Sequence, residues 1–150
     1  MQITFGKYSG KASEEVFLKH GSYVKWVLGQ TNAGSGLSLL RNDFENLTSK
    51  FDAKPTLKPC HHCKEEATLV TAYWNNDSNL YAWCNDCDPY SAGASMGKLY
   101  VLHKVHDAFK HVELRCGGTQ GGYDRIVRAL AQSKGLPVRV SATAAMQFFA

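Results

Sequence analysis

Two pairs of cysteines constrain this chain more than any other feature of its sequence. Cys60 and Cys63 form the first pair, Cys84 and Cys87 form the second, and 20 residues separate the two pairs. Two residues between ligands allow a tight turn to direct both sulfurs toward one ion, and two such turns complete a tetrahedron. The spacing therefore predicts that these four cysteines bind a single Zn²⁺ ion.

The segment between the pairs predicts a β-hairpin. "ATLVTAYW" and "LYAWC" are rich in β-branched and aromatic residues, and the turn-forming residues "NNDSN" lie between them. A hairpin whose base carries two cysteine turns has the arrangement of a zinc ribbon. Four protein ligands leave the ion no position for a reactive water, so we expect the zinc to be structural.

Two other uses of four cysteines fit the pattern less well. Disulfides persist in oxidising compartments, whereas the start of the sequence, "MQITFGKYSGK", lacks the apolar stretch of a signal peptide. A thioredoxin-type redox site needs one C-x-x-C motif at the start of a helix, rather than two that flank a hairpin. The expected compartment is therefore the cytoplasm.

The composition is that of a globular protein. Hydrophobic residues make up 44% of the chain and charged residues 20%, which argues for a packed core. No apolar run approaches the roughly 18 residues that a membrane span requires, so no membrane partner is expected. Lys and Arg number 17 against 13 acidic residues, a formal charge of +4. This charge suits a polyanionic partner and equally suits an ordinary protein surface.

The N-terminal segment, residues 1–54, predicts a short strand followed by helices. Ile3 and Phe5 alternate with polar residues and indicate the strand, and Ser13 is a plausible helix start. Ser22 is expected to cap a second helix. A third, amphipathic helix is predicted from apolar residues at steps of three and four, namely Leu37, Leu40, Phe44, Leu47 and Phe51.

The first thirty residues also carry a motif. "FGKYSGK" at 5–11, "EV" at 15–16 and "YVKW" at 23–26 follow the pattern FGK-x-x-GK … EV … YL-x-W. The segment resembles the small domain at the C-terminus of exodeoxyribonuclease X, a pattern that recurs in small stand-alone bacterial and phage proteins. The nuclease domain of that family has no counterpart here. The resemblance therefore implies a nucleic-acid-associated accessory module in a bacterial or phage-infected cell, without exonuclease activity.

After the ribbon, assigned to residues 55–92, residues 93–150 predict a β-α-β-like segment with a terminal helix, packed on the rest. "VELRC" and "PVRV" are predicted strands on either side of a helix that carries Ile126, Val127 and Leu130. "KLYVLHKVHDAFKH" fits a helix, although its first residues also fit a strand. The closing "SATAAMQFFA" predicts a capped helix docked by Met146, Phe148 and Phe149. The predicted fold class is α+β.

These features together predict a nucleic-acid-binding protein, with DNA as the expected form. A glycine-flanked loop suits a phosphate backbone, because glycine permits close approach, lysine neutralises charge and an aromatic ring can stack on a base. The predicted role is that of an accessory factor in replication, repair, recombination or transcription, with room for a protein partner from that machinery. The candidate nucleic-acid contacts are Lys7, Tyr8, Lys11, Trp74, Lys104, Arg125 and Arg128.

Two alternative functions stay open at this point. Zinc ribbons also serve as protein–protein adaptors, which here would be a phage or plasmid factor docking on host machinery. A metal-dependent nuclease is less favoured, because it needs clustered carboxylates. The loop "GGTQGG" at 117–122 could hold a phosphate at a helix N-terminus, although it matches neither common nucleotide-binding motif. The acidic residues that a nuclease would use are dispersed along the chain: Asp86, Asp88, Asp107, Glu113 and Asp124.

Overall fold

The computed structural model describes residues 1–31, 34–87 and 98–150. Over these residues the chain forms six helices and a small antiparallel sheet, which confirms the α+β class. The helices are α1 (Ser13–Lys19), α2 (Gly21–Leu28), α3 (Ser35–Ala53), α4 (Val105–Arg115), α5 (Gln120–Ser133) and α6 (Ala142–Phe149). The strands are β1 (Leu69–Tyr73), β2 (Tyr81–Trp83) and β3 (Leu99–Val101).

Helices from both ends of the chain share one hydrophobic core. Helix α1 packs against α5 and α6, and α2 packs against α3 and α5. The centre of this core is aromatic: the ring of Phe17 lies 5.9 Å from that of Phe44, 5.8 Å from that of Phe51 and 5.5 Å from that of Phe149. Helix α3 contributes its apolar face to this core, as the sequence predicts. The buried residues on that face are Leu40, Phe44, Leu47 and Phe51.

The sheet has the strand order β2-β1-β3. Strand β1 pairs antiparallel with β2, with Val70 opposite Ala82, and antiparallel with β3, with Ala72 opposite Tyr100. Alternation along the strands directs Val70, Ala72 and Ala82 into the core that the helices share. The hairpin of the predicted ribbon is therefore present, and a third strand from the following segment extends it.

Two predicted strands of the C-terminal segment are wrong. Residues 112–116, "VELRC", form the end of α4 and its C-cap, because Val105, Phe109 and Val112 place one apolar face of that helix against the core. Residues 137–140, "PVRV", form no strand, and Val138 there is 86% exposed. The real strand of this segment is β3, so the β-α-β-like arrangement does not form.

Three smaller expectations also need correction. The strand expected at Ile3 and Phe5 is reduced to a single bridge between Gln2 and Ala12. Ser22 lies within α2 and does not cap it, since its backbone N–H and hydroxyl both donate to Asp124 on α5. In the terminal helix, Ser141 caps as expected and Phe148 and Phe149 are buried, but Met146 is half exposed.

Among the described residues, no helix combines the length and the apolar character needed to cross a membrane.

Candidate metal centre and basic surface

The four cysteines predicted as ligands lie together. One ligand atom from each of Cys60, Cys63, Cys84 and Cys87 lies within 4.8 Å of the others, and the Cys63 and Cys84 sulfurs are 3.6 Å apart. A tetrahedral ion with metal–sulfur bonds of about 2.3 Å needs sulfur–sulfur distances of about 3.8 Å. The cluster therefore has the dimensions of a metal site with four thiolate ligands.

The first cysteine turn is closed by its own backbone. The Cys60 N–H donates to the Glu65 carbonyl at 2.8 Å, and the Lys64 N–H donates to the Cys60 carbonyl at 3.0 Å. Lys64 adopts a φ of 66°, the left-handed conformation that reverses the chain at this point. The His61 N–H donates to the Ala82 carbonyl at 2.7 Å, which fixes this turn against β2.

The hairpin register brings the second cysteine turn to the first. Because Leu69 pairs with Trp83, Thr68 comes to lie beside the chain that enters Cys84. The Thr68 N–H donates to the Trp83 carbonyl at 2.9 Å, and the Thr68 hydroxyl donates to the Asn85 side chain at 2.8 Å. The strand pairing alone thus places the two C-x-x-C motifs at one end of the sheet.

The sulfurs differ in their affinity for protons. Burial raises the pKa of the Cys60 thiol, but backbone N–H groups of Cys63, Cys84 and His62 donate to its sulfur and bring that pKa to about 6. Hydrogen bonding with Cys84, together with burial, raises the pKa of the Cys87 thiol to about 12. One negative charge is thus favoured within the cluster and a second is opposed, so an incoming cation must displace protons from the remaining thiols.

No second candidate metal cluster occurs among the described residues. Asp107 accepts the backbone N–H groups of His103 and Lys104 at the start of α4, and Asp124 accepts the two donors of Ser22. These carboxylates therefore stabilise helix N-termini. Asp88, another residue considered for a nuclease site, lies outside the described residues.

Three lysines and an arginine lie near the junction of α1 and α2, where His20 is located. Burial lowers the pKa of His20, the carboxylate of Asp124 raises it, and the positive charges of Lys19, Lys7 and Lys11 lower it further. The Arg128 guanidinium donates to the Lys19 carbonyl at 3.3 Å, which adds a fourth cation from α5. We call Lys7, Lys11, Lys19 and Arg128 the basic cluster. Three of them were predicted contacts, whereas Lys19 has no sequence signal of its own.

Tyr8 does not offer a free ring beside these lysines. Its side chain is 8% exposed, stacks on the His20 ring at 4.5 Å and meets the Tyr23 ring edge-on at 4.8 Å. Lys7 lies over the same ring at 5.5 Å. Tyr8 therefore anchors the loop to the helices. The sequence predicts that a base stacks on its ring, but the ring has little exposed surface for such a contact.

The other predicted contacts lie apart from the basic cluster. Lys104 is exposed at the start of α4, where it contributes positive charge near Asp52 of α3. Trp74 is exposed at the end of β1, and Arg125 extends from α5 toward the hairpin turn. Arg125 forms a two-point ion pair with Asp77, with both nitrogen–oxygen distances at 2.8 Å.

The ion pair between Arg125 and Asp77 connects the hairpin turn to the helical body. Because Asp77→Asn removes the negative charge of the pair, we expect this variant to lower the thermal midpoint of unfolding by about 1–3 °C. The Arg125 guanidinium holds the pKa of the Asp77 carboxyl below its ordinary value. The ion pair therefore stabilises the folded protein at pH values above the ordinary pKa of an Asp carboxyl. This stabilisation is lost as the pH falls through the lower pKa that Asp77 has in the folded protein. Thermal melts of both proteins between about pH 7 and pH 3 should show the difference shrinking below about pH 4. A constant difference would show that the ion pair is not its cause.

The loop "GGTQGG" uses part of its backbone internally. Thr119 caps α5 by accepting the Gly122 N–H at 3.1 Å, and the Gly118 N–H donates to the Val112 carbonyl at 2.9 Å. Gly117 and Gly118 both have positive φ, at 81° and 65°, which turns the chain from α4 into α5. These hydrogen bonds and backbone conformations explain the glycine-rich segment as a tight connection between α4 and α5.

Comparison of the chain with protein-family models, curated proteins and solved structures found no match. The resemblance of the first thirty residues to exodeoxyribonuclease X therefore stays a prediction.

Proposed function

We propose that this chain is a zinc-dependent nucleic-acid-binding protein, acting on DNA as an accessory factor in replication, repair, recombination or transcription. The zinc is structural and the basic cluster contacts phosphate. The observation that carries the proposal is the geometry at the junction of α1 and α2. Lys7 lies over the Tyr8 ring that stacks on His20, the Lys11 N–H donates to the Tyr8 carbonyl, and Arg128 bonds the carbonyl of Lys19, which precedes His20. The resemblance in the first thirty residues supports the choice of DNA.

The choice of zinc follows from the donor set. Four thiolates in a tetrahedral arrangement favour zinc or an iron–sulfur cluster, whereas cations that prefer oxygen ligands, such as Mg²⁺ and Ca²⁺, are disfavoured. Two C-x-x-C turns at the base of a hairpin fit a single ion. With Cys60, Cys63, Cys84 and Cys87 as ligands, the ion would join the two turns and would have no open position for a substrate.

The charges near the basic cluster favour an anionic partner. Lys7 and Lys11 are exposed on the glycine-flanked loop, while Lys19 is held 3.1 Å from Glu15. Arg128 keeps one guanidinium nitrogen buried without a partner, in addition to its bond to the Lys19 carbonyl. Two exposed lysines beside two partly engaged cations suit phosphate groups, whose contact with lysine releases condensed counterions.

The proposal predicts DNA affinity that falls steeply with salt. Replacing Lys7 and Lys11 by Gln should reduce the slope of log K against log salt by about 1.4–1.8, because each phosphate contact contributes about 0.7 for single strands and 0.9 for duplexes. Fluorescence anisotropy with labelled single- and double-stranded DNA at several salt concentrations measures this slope. Zinc content should be determined by elemental analysis on the same samples.

Lys50→Gln provides the matched control. This lysine is exposed on α3 and is not among the charges that act on His20. The variant loses one positive charge outside the basic cluster and therefore no proposed phosphate contact, so the slope should remain close to that of the original protein. If Lys50→Gln lowers the slope as much per charge as the double variant, net charge alone explains binding. An original protein with no salt-dependent affinity for any nucleic acid would refute the proposed function.

A further inference from the structure

The turn that follows β1 is fixed at three points. The Asn75 N–H donates to the Arg115 carbonyl at 3.1 Å, the buried His111 ring bonds the Asn76 carbonyl at 2.8 Å, and Asp77 is paired with Arg125. Because the Arg115 side chain contacts the other nitrogen of His111 at 3.2 Å, the ring is neutral and donates from Nε2. The turn is therefore held rigidly against α4 and α5.

Trp74 begins this turn and remains exposed. Its indole is 55% exposed although its own backbone is held, since the Trp74 N–H donates to the Lys98 carbonyl at 2.7 Å. The ring lies tilted beside Tyr100 at 6.3 Å, and the Arg115 guanidinium lies over Tyr100 at 3.5 Å. We call Trp74, Tyr100 and Arg115 the aromatic ledge.

The charge around the aromatic ledge is positive. Arg115 is itself part of the ledge, and the exposed Lys98 adjoins Trp74 through its backbone. Arg125 and Asp77 lie close enough to act with Arg115 on the nearby Cys116 thiol, and they are already paired with each other. The Arg115 guanidinium, which uses one nitrogen on His111, and the exposed ammonium of Lys98 add positive charge beside the ledge. A large exposed ring beside these cations combines the two contacts that an unpaired nucleotide needs, a stacking face and a phosphate partner.

We propose that the aromatic ledge stacks an unpaired base of single-stranded DNA on Trp74, with Arg115 contacting the adjacent phosphate. This inference rests on the proposed function and specifies the form of DNA that is bound. Bases within a duplex have their faces covered by their neighbours, so an indole ledge discriminates for the single strand. The basic cluster contacts backbone only and does not distinguish the two forms.

Neighbouring Tyr73 offers a matched comparison. Its ring contacts Tyr81, which pairs with Thr71, whereas Trp74 contacts Tyr100, which pairs with Ala72. The two consecutive aromatic residues therefore face opposite sides of the sheet. Trp74→Leu and Tyr73→Leu each remove one partly exposed ring and change no charge.

The test measures the affinity of the original protein and both variants for oligothymidylate, for a duplex of the same length and for oligouridylate. Trp74→Leu should weaken oligothymidylate binding about 5- to 150-fold, the range for one stacked base, with little change for the duplex. Tyr73→Leu should bind as the original does. Trp74→Phe retains a ring and should recover most of the affinity, which separates stacking from a folding defect.

Other results would overturn the inference. Equal affinities of Trp74→Leu and Tyr73→Leu for oligothymidylate would remove the ledge as the stacking site. An equal loss on duplex and single strand would show that Trp74 does not select unpaired bases. Tighter binding of oligouridylate than of oligothymidylate would overturn the choice of DNA. If the original protein binds none of the three, the proposed function fails together with the ledge, whereas retained duplex binding leaves the basic cluster intact.

Discussion

Cys84→Ser is expected to leave the protein without bound metal and to disrupt the sheet. The hydroxyl of serine is a much poorer zinc ligand than a thiolate, so three sulfurs would remain around the ion. Elemental analysis should find less than a tenth of the zinc of the original protein. Amide hydrogen exchange should show lost protection in β1 and β2, while α1 and α3 retain theirs.

The size of this effect follows from what holds the two cysteine turns. Backbone hydrogen bonds hold residues 60–66 to the hairpin. The segment buries little apolar surface, because the side chains from His61 to Glu66 are exposed. Structural zinc sites contribute about 10–16 kcal/mol of apparent binding free energy at pH 7. This is comparable to the whole net stability of a typical domain, about 5–15 kcal/mol, so we expect the turns to depend on the proposed ion.

Cys116→Ser is the matched control for the loss of a thiol. Cys116 is half-buried at the C-terminal end of α4 and lies outside the four-cysteine cluster. The variant should keep its full zinc content and the protection of the sheet. If Cys84→Ser retains both as well, or if the chelated original protein keeps a protected hairpin, the metal is not what stabilises this part of the fold.

Local sequence patterns predicted the elements that depend on local interactions. The steps of three and four from Leu40 to Phe51 predicted α3, because an amphipathic helix is determined by which of its own residues are apolar. The C-x-x-C spacing predicted the four-cysteine cluster, since each turn brings two sulfurs together by itself. Gly135, two positions beyond the end of α5, has a φ of 106°, the left-handed conformation that commonly follows a helix.

The remaining features depend on contacts between distant residues. "VELRC" alternates apolar and charged residues as a strand does, but Val112 is buried as part of a helical face that also includes Phe109. Strand β3 is three residues long, and its sequence fits either a helix or a strand, so its pairing with β1 decides between them. In the basic cluster, Lys19 and Arg128 lie 109 positions apart. No local pattern indicates that α1 and α5 meet.

Gly21→Ala should destabilise the protein, against the usual preference of helices for alanine. Gly21 begins α2, and a Cβ there would lie 2.6 Å from the Tyr123 carbonyl oxygen and 2.8 Å from a Val127 methyl group on α5. Alanine normally stabilises a helix by about 0.5–1 kcal/mol relative to glycine. Here the clash with backbone forces α2 and α5 apart, and we expect a net loss of about 1–3 kcal/mol in urea unfolding.

The same separation should also affect the basic cluster. Ser22, at the start of α2, donates two hydrogen bonds to Asp124 on α5. Arg128 on α5 donates to the carbonyl of Lys19, at the end of α1. Gly36→Ala is the control, since its Cβ would lie 3.4 Å from the Phe5 ring, close to ordinary van der Waals contact. That variant should be as stable as the original or slightly more so. If Gly21→Ala behaves like Gly36→Ala, the two helices do not approach as closely as the structure has them, and the alignment of Lys19 with Arg128 would lose its basis.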